Sequence, residues 1–284
     1  MLKKAYVEIT NRCNLACAFC PGTRREARTM TVEEFARVLD RLRGSVEYVY
    51  LHVMGEPLLH PQLAELLALA LARGMRVCIT TNGTLLPRVG ETLLAAPALH
   101  KISVSLHSFE GNHPDGAPDS GAEGAYLDAV WRFAMSASAR GVIVALRLWN
   151  EGGLEALNPA ILRFLRERTG TDDWPETRGG SFRLAPRLYL ERAARFDWPD
   201  LAAQEADTQF CYALRDQLGV LADGTVVPCC LDHEGDLALG NLFTQELPEI
   251  LASPRARSLV DSFSRRRPNE ALCQRCGFAA RFNR

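Results

Sequence analysis

The sequence predicts an α/β fold built on a mainly parallel sheet. Short apolar, β-branched runs alternate with segments of helical periodicity over the first 190 residues. A strand, a helix and a second strand in that order form a right-handed parallel crossover, so this alternation favours a parallel sheet. Turn residues and helix caps separate the segments cleanly. There are about six strand–helix units, too few to close an eightfold barrel.

The elements follow from these patterns in chain order. The predicted strands are Lys4–Thr10, Val46–Val53, Met75–Thr80, Lys101–His107, Val142–Trp149 and Phe182–Leu190. The predicted helices between them are Thr31–Arg43, Pro61–Arg73, Pro87–Ala96, Glu123–Arg140 and Pro159–Arg168. Thr31 and Glu34 form a capping box at the start of the first helix. The second helix opens on Pro61 and ends before Gly74. A long loop is predicted over 111–124.

Composition fits a mid-sized enzyme. A chain of 284 residues with 47% apolar content can bury a full core, and one large and one small domain are expected. The net charge of −1 gives no general attraction to nucleic acid or membranes. The longest apolar run, Leu63–Ala72, is too short to span a bilayer. The first ten residues lack the apolar core of a secretory signal, so we expect a cytoplasmic protein.

The nine cysteines cluster in groups, which favours metal ligation in a reducing compartment over a disulfide framework. Cys13, Cys17 and Cys20 are spaced C-x3-C-x2-C after the first predicted strand. Clusters that only carry electrons take four thiolates, so a group of three predicts a [4Fe–4S] cluster with one iron open to an exogenous ligand. Buried hydrophobic cysteines or a zinc site are the alternatives.

By spacing and position, the triplet resembles that of the radical S-adenosylmethionine (SAM) superfamily. The resemblance implies a partial (β/α)6 TIM-like barrel as the core. It also implies that SAM fills the open iron position and that one electron from the cluster splits SAM to a 5′-deoxyadenosyl radical, which abstracts hydrogen from a substrate. Phe19, just before the last cysteine, matches an aromatic residue that packs near the adenine of SAM in this family, although an aromatic side chain beside a loop can simply pack.

A second motif follows the second predicted strand. The segment MGEPLLHP is similar to the family's GGEP segment, with Met54 in place of the first glycine. By that resemblance, Gly55, Glu56 and Pro57 hold the amino group of SAM. Taken alone, Gly-Glu-Pro is also an ordinary turn sequence.

Further candidates lie at the ends of later strands. Thr81 and Asn82 match a family segment that borders the cofactor, but Asn-Gly is a turn in any protein. Ser105 matches a serine that contacts the ribose or carboxylate of SAM, or else it lines a polar barrel mouth. His107 is the candidate catalytic residue, since a histidine there can bind substrate or relay a proton; a structural role is the alternative. Arg147 is predicted to meet the SAM carboxylate, an acidic substrate group, or Glu56 or Glu8 in a salt bridge.

The tail carries another group of cysteines. The run VLADGTVV predicts a hairpin on an Asp-Gly turn, which brings the cysteines at its two ends together. The thiols predicted to share a second [4Fe–4S] cluster, or a zinc ion, are Cys211, Cys229, Cys273 and Cys276. The arrangement resembles the SPASM/twitch extension of radical SAM enzymes, but it lacks that domain's full set of seven cysteines, so one auxiliary cluster is expected. Cys230 has three open roles: to replace Cys229, to pack inward or to contact substrate.

Together these features predict a radical SAM core over 1–195, a linker over 196–210 and a SPASM/twitch-like domain over 211–284. The predicted function is radical modification of a peptide or protein side chain. No leader-peptide-binding domain is expected before the first strand, which keeps small-molecule oxidation, epimerisation or rearrangement as an alternative. A non-catalytic iron–sulfur or zinc carrier or sensor is the second alternative, favoured only by Met54. An electron donor such as flavodoxin or ferredoxin is the expected protein partner.

Overall fold

A computed structural model describes residues 2–112 and 120–283 of the chain. The chain forms two compact units, and neither is one continuous stretch of sequence. The first unit consists of Met1–Arg12, Gly22–Arg76 and Phe196–Arg284. The second consists of Cys13–Pro21 and Val77–Arg195. The chain therefore leaves the first unit at the cysteine triplet and returns to it directly afterwards.

Strands and helices alternate over the first part of the chain. The strands are β1 (Lys4–Val7), β2 (Tyr48–Tyr50), β3 (Arg76–Thr81), β4 (Leu99–Ser105), β5 (Ile143–Glu151), β6 (Ser181–Ala185), β7 (Leu188–Ala194), β8 (Gln217–Val220), β9 (Thr225–Val227) and β10 (Gly240–Asn241). The α-helices are α1 (Val32–Leu42), α2 (Leu63–Ala72), α3 (Leu86–Leu94), α4 (His107–Gly111), α5 (Ser120–Ala139), α6 (Asn158–Thr169), α7 (Leu247–Leu251), α8 (Pro254–Ser264) and α9 (Ala271–Gln274). Pro57–Leu59 and Ala279–Phe282 are 3-10 helices.

In the first unit, β1 lies between a strand of the predicted core and a strand of the tail. It pairs in parallel with β2 on one side and with β8 on the other. Strand β9 runs antiparallel to β8, and β10 runs antiparallel to β9. The turn between β8 and β9 contains Asp223 and Gly224, which confirms the predicted hairpin.

In the second unit, β4 pairs in parallel with β3 and β5, and β5 pairs in parallel with β7. Strand β6 is antiparallel to β7. Alternation along each strand gives the sheet one apolar face, on which Val104, Leu146 and Leu190 are fully buried. Helix α5 packs against β5 and β7, and α3 packs against α5.

The helices confirm the predicted boundaries to within a few residues. Helix α1 begins with the expected capping box, because Thr31 Oγ1 accepts from the Glu34 amide at 3.1 Å and a Glu34 carboxylate oxygen accepts from the Thr31 amide at 2.9 Å. Phe35 and Leu39 on its inner face are fully buried. Within the described residues, no helix is long and apolar enough to cross a membrane.

Two local predictions are wrong. The single strand predicted over Phe182–Leu190 is an antiparallel pair, β6 and β7, because Pro186 lacks an amide for the ladder and Arg187 turns the chain with a φ of 59°. Strand β4 ends at Ser105, so His107 opens α4 instead of extending the strand. Within the loop predicted over 111–124, residues 113–119 lie outside the described part of the chain.

Candidate functional site

The cysteine loop, Cys13–Cys20 in the second unit, is held by hydrogen bonds to α4 and to Asn112, the residue after that helix. The amide of Ala18 donates to the Gly111 carbonyl at 2.7 Å, and the amide of Ala16 donates to Asn112 Oδ1 at 2.9 Å. The Cys17 thiol donates to the Ser108 carbonyl at 3.5 Å. Helix α4 follows β4 directly, so the carboxyl end of that strand supports the loop that bears the triplet.

A chain of polar contacts ties the same loop to the segment after β3. Asn82 Nδ2 donates to Asn14 Oδ1 at 3.0 Å, and Asn14 Nδ2 donates to Thr84 Oγ1 at 2.9 Å. The Tyr126 hydroxyl donates to the Asn82 carbonyl at 2.8 Å, and Thr81 Oγ1 accepts from the amide after Asn82 at 3.0 Å. Thr81 and Asn82, predicted to border the cofactor, therefore fix the turn that positions the cysteine loop.

The three thiols lie close enough to influence one another. Burial, followed by repulsion from Cys20 and Cys13, raises the pKa of Cys17 to about 12. Cys13 and Cys20 themselves are exposed. Three thiolates at this spacing repel unless a positively charged centre binds them. The donor set therefore fits an iron–sulfur cluster, which takes thiolate ligands.

Phe19 and His107 pack against each other beside the triplet. Their ring centroids are 4.9 Å apart. An added Cβ at Gly111 would lie 2.8 Å from Phe19 Cδ1 and 3.3 Å from Cys17 Cβ, so no larger residue fits at position 111 without moving the loop. His107 Nδ1 lies 3.2 Å from the Arg147 carbonyl oxygen. Burial lowers the pKa of His107 to about 4, so its imidazole is neutral near pH 7.

The Gly-Glu-Pro segment in the first unit packs tightly against the residues just before the triplet. Gly55 has a φ of +76°, and an added Cβ would lie 2.5 Å from the Thr10 carbonyl oxygen and 2.7 Å from that of Arg12. The Glu56 amide donates to the Arg12 carbonyl at 2.8 Å. Glu56 is buried and caps the following 3-10 helix, since its Oε1 accepts from the Leu58 amide at 3.0 Å. Position 55 requires glycine, because its φ is positive and because its backbone lies close to the carbonyl oxygens of Thr10 and Arg12.

A buried ion pair joins this segment to other parts of the first unit. Arg25 donates through Nη1 and Nη2 to the two carboxylate oxygens of Glu8, at 2.8 and 2.7 Å. The Met54 amide donates to Glu8 Oε2 at 3.1 Å, and the Ala222 amide donates to Oε1 at 3.2 Å. Arg25 Nε donates to the His233 carbonyl at 2.7 Å. Glu8 thus connects β1, the Gly-Glu-Pro segment and the tail.

Arg147 is paired, but not with either of the acidic residues considered from the sequence. Its Nε donates to Glu191 Oε2 at 2.9 Å, and its Nη1 donates to Thr80 Oγ1 at 3.3 Å. Glu8 instead pairs with Arg25. Ser105 lies beside Arg147 in the register of β4 and β5 and is partly buried.

The four tail thiols predicted to share a centre lie near one another in the first unit. Burial raises the pKa of Cys211 to about 11 and raises the pKa values of the other three as well. Repulsion from Cys230, and then from Cys211, Cys276 and Cys273, adds to the effect of burial on the Cys229 pKa. The Thr208 hydroxyl donates to the Cys276 carbonyl at 3.1 Å, which fixes the segment after α9. Four buried or half-buried thiols that repel one another fit a positively charged centre.

Cys230 packs against a cluster of buried apolar side chains in the first unit. It is partly buried against Tyr6 and Val53, and burial raises its pKa to about 11 while the Lys4 ammonium acts in the opposite direction. Of its three open roles, the structure supports inward packing. Within residues 2–112 and 120–283, no three or more His, Cys, Asp or Glu side chains converge in the geometry of a metal site. The fit of the two thiol groups to a cluster therefore rests on the number, burial and mutual repulsion of the thiols, and not on a preformed coordination geometry.

Sequence reasoning missed the residues that support these sites. Glu8 and Arg25 are far apart in sequence, and the only hint of the pair was a carboxylate in an otherwise apolar strand. No sequence pattern pointed to Asn112, because the helix that precedes it, α4, was predicted as strand and loop. Glu191 lies one residue beyond the strand predicted over Phe182–Leu190, in the part of β7 that this prediction did not include.

Two family models match the chain. Residues 7–145 match the radical SAM superfamily, and residues 211–277 match an iron–sulfur cluster-binding domain, SPASM. The first match contains the N-terminal cysteine triplet and the second contains all four tail cysteines. These matches imply SAM, a [4Fe–4S] cluster and an auxiliary iron–sulfur cluster as cofactors.

Among individual proteins, the chain is 32% identical over 163 residues to Fe-coproporphyrin III synthase of Methanosarcina barkeri, an alignment that covers 56% of this chain and 40% of that protein. It is 24% identical to the subtilosin biosynthesis protein AlbA of Bacillus subtilis, with 97% of this chain and 65% of that protein covered. The chain thus spans less than two thirds of the length of either relative.

The fold is similar to that of anSMEcpe, solved with bound AdoMet and the Cp18Cys peptide, with a TM-score of 0.64, 14% identity and coverage of 98% and 89% of the two chains. This likeness confirms the predicted fold class, an α/β partial barrel with a small cysteine-rich extension. With both family models matched, the chain belongs to the radical SAM superfamily and carries a C-terminal iron–sulfur cluster-binding domain.

Proposed function

We propose that this protein is a radical SAM enzyme that modifies a peptide or protein side chain. The observation that carries the proposal is the cysteine loop, whose three neighbouring thiols are held by α4 and by Asn82. When bound, a cluster with one open iron would supply one electron for cleavage of SAM into methionine and a 5′-deoxyadenosyl radical, the species that would take hydrogen from the substrate. Cys13, Cys17 and Cys20 are the proposed ligands of that cluster.

The chain's own residues would bind and orient SAM. Gly55 brings its backbone against the residue that precedes Cys13, and Glu56 holds a buried carboxylate at the same place. A carboxylate is the natural partner of the SAM ammonium group. Phe19, packed on His107, offers an aromatic face for the adenine. His107 is neutral, so in this proposal it positions Phe19 or a substrate group and does not act as an acid.

The tail thiols are the proposed ligands of one auxiliary cluster. Burial and mutual repulsion disfavour four free thiolates here, and a cluster relieves both effects. Zinc would also accept four thiolates, so the metal is part of the test. Nine cysteines, all of them free thiols and not joined in disulfides, support a reducing, cytoplasmic location, where an electron donor such as flavodoxin or ferredoxin would reduce the protein.

The choice of a peptide substrate is supported by AlbA, which is named as a biosynthesis protein of the bacteriocin subtilosin and whose match covers 97% of this chain. A small-molecule substrate is the second candidate. It is favoured by the more identical relative, Fe-coproporphyrin III synthase, at 32%.

The test is anaerobic incubation of the reconstituted, reduced protein with SAM, followed by assay of 5′-deoxyadenosine and of iron per chain. We expect the nucleoside and about eight irons, as two cubane clusters require. Replacing Cys13, Cys17 and Cys20 with alanine should abolish the nucleoside and leave about four irons. Cys78→Ala is the matched control, because this thiol is buried in β3 and belongs to neither proposed set of ligands. Normal iron content without any nucleoside would contradict the enzyme proposal, and zinc in place of the residual iron would contradict the auxiliary cluster.

A further inference from the structure

The sheet of the second unit has two chemically different faces. Its apolar face, with Val104, Leu146 and Leu190, is fully buried. Parallel sheets ordinarily bury both faces under apolar side chains. The opposite face is instead mostly polar or charged. We define its cationic face by Lys101, Arg147, Trp149 and Glu191.

The register of the strands brings these side chains together. Arg147 on β5 lies beside Ser105 on β4 and Glu191 on β7. Lys101 Nζ donates to Glu191 Oε1 at 2.9 Å, while Arg147 Nε donates to the other oxygen at 2.9 Å. One carboxylate is therefore shared between two cations, and the group of three carries a net charge of +1.

This excess charge lies in a partly buried place. The side chains of Arg147, Glu191 and Lys101 are 15%, 18% and 25% exposed. Burial alone would raise the pKa of Glu191, but Arg147 and Lys101 outweigh burial and lower it, so the carboxylate is ionised at neutral pH. An unbalanced charge is costly when it is withdrawn from water, and an anion that binds there removes the cost.

Trp149 gives the cationic face a rigid wall. The Arg147 guanidinium lies 4.4 Å from the centroid of the Trp149 ring. Stacking of this kind fixes the plane of the guanidinium. Within the described part of the chain, Arg147 donates to Glu191 and Thr80, which uses only some of the N–H groups that a guanidinium carries. A held guanidinium with donors to spare is suited to a planar or tetrahedral anion.

We propose that the cationic face binds the substrate through an anionic group, a carboxylate or a phosphate, received by Arg147 and Lys101. The inference rests on the proposed function in taking this face as substrate-binding, and it names the chemical class that the site selects. In a peptide substrate the group is an acidic side chain or a terminal carboxylate. In a small molecule it is an acid or a phosphate ester.

The test is a binding titration on the reconstituted protein, followed through tryptophan emission, with the Trp149→Phe variant to assign the signal. The probes are N-acetylglutamate amide, its neutral isostere N-acetylglutamine amide, and inorganic phosphate, all at constant ionic strength. We expect the glutamate probe to bind at least tenfold more tightly than the glutamine probe, the lower end of what a hydrogen bond to a charged group contributes. A carboxylate-only or phosphate-only response identifies which of the two anions the face accepts.

Two variants with opposite expected effects separate this role from a loss of folding. Arg147→Gln should weaken binding of the anionic probe by roughly 10- to 100-fold, because it removes a charged donor. Glu191→Gln should strengthen that binding several-fold, because it removes the competing carboxylate. A variant that merely disturbed the fold would weaken binding in both cases.

Three results would overturn the proposal. The first is equal binding of the glutamate and glutamine probes, with no response to phosphate. The second is a change of affinity for the anionic probe in the same direction for Arg147→Gln and Glu191→Gln, and the third is displacement of the probe by SAM, which would assign the cationic face to the SAM carboxylate. These results are independent of 5′-deoxyadenosine formation. Failure here with normal nucleoside formation would leave the proposed function standing.

Discussion

The Glu8–Arg25 pair gives a quantitative prediction for the Glu8→Gln variant. The Glu8 side chain is 0% exposed and that of Arg25 is 16% exposed, so both groups lie largely out of water. Glutamine keeps the shape of the side chain but loses the charge and one of the two acceptor oxygens. The variant therefore leaves a buried guanidinium without its counter-charge and deprives the Met54 or Ala222 amide of its acceptor.

Removing one partner of a buried pair costs about 3–5 kcal/mol. A chain of this size loses roughly 2–4 °C of Tm per kcal/mol, so we expect Tm to fall by about 6–20 °C. The measurement is thermal unfolding followed by circular dichroism. A second expected effect is weaker SAM binding, because the Met54 amide begins the Gly-Glu-Pro segment.

Asp40→Asn is the matched control. Arg73 donates through Nε and Nη2 to the two oxygens of Asp40 at 2.7 and 3.0 Å, which is also a bidentate contact, but the Asp40 side chain is 57% exposed. Exposed pairs contribute about 0–1 kcal/mol. If Glu8→Gln lowers Tm no more than Asp40→Asn does, burial does not set the strength of this pair and the reasoning is refuted.

Three further predictions follow from single positions. Gly55→Ala should weaken SAM binding and destabilise the protein more than Gly74→Ala does. Both glycines have positive φ, but only at Gly55 would an added Cβ lie within 2.5–2.7 Å of backbone carbonyl oxygens. Equal loss of stability in the two variants would show that the backbone strain of a positive φ accounts for the whole effect. Gly219→Ala should lower the iron content, because its Cβ would lie 2.6 Å from Val227 Cγ2 and 3.0 Å from the Cys229 carbonyl oxygen, so the segment that bears Cys229 has to shift. Full iron content would show that this segment accommodates the added methyl group without disturbing the tail site. The folded pKa of His107, about 4, lies below its ordinary value of 6.5, so its contribution to stability is full above pH 6.5 and is lost as the pH falls towards 4. Urea unfolding at pH 7 and pH 5 should show a loss of about 2 kcal/mol that is absent in the His107→Gln variant; the same loss in both proteins would exclude His107 as its source.

Local patterns predicted the parts of the molecule that local chemistry determines. The capping box at Thr31, the Asp-Gly hairpin and the alternating segments all form as expected, because each depends on residues a few positions apart. The grouping of Cys13, Cys17 and Cys20 is local for the same reason.

The supporting contacts could not be predicted in this way. Glu8 meets Ala222 across 214 positions, and Asn82 meets Asn14 across 68. Nothing in either neighbourhood specifies the partner, since the fold has to bring the two together first. Arg147 illustrates the limit: the sequence indicated that it must be paired, but only the register of β5 and β7 selects Glu191.

The pairing of β1 with β8 also has a consequence for synthesis of the chain. Lys4 pairs with Gln217, so one side of β1 has no partner until more than two hundred further residues have been made. At translation rates of about 5–20 residues per second, that wait lasts roughly 10–40 s. During this time one edge of β1 is open and the Glu8 carboxylate lacks the Ala222 amide. An open strand edge attracts other strands. Until β8 is made and pairs with it, this edge of β1 is exposed to pairing with a strand of another chain.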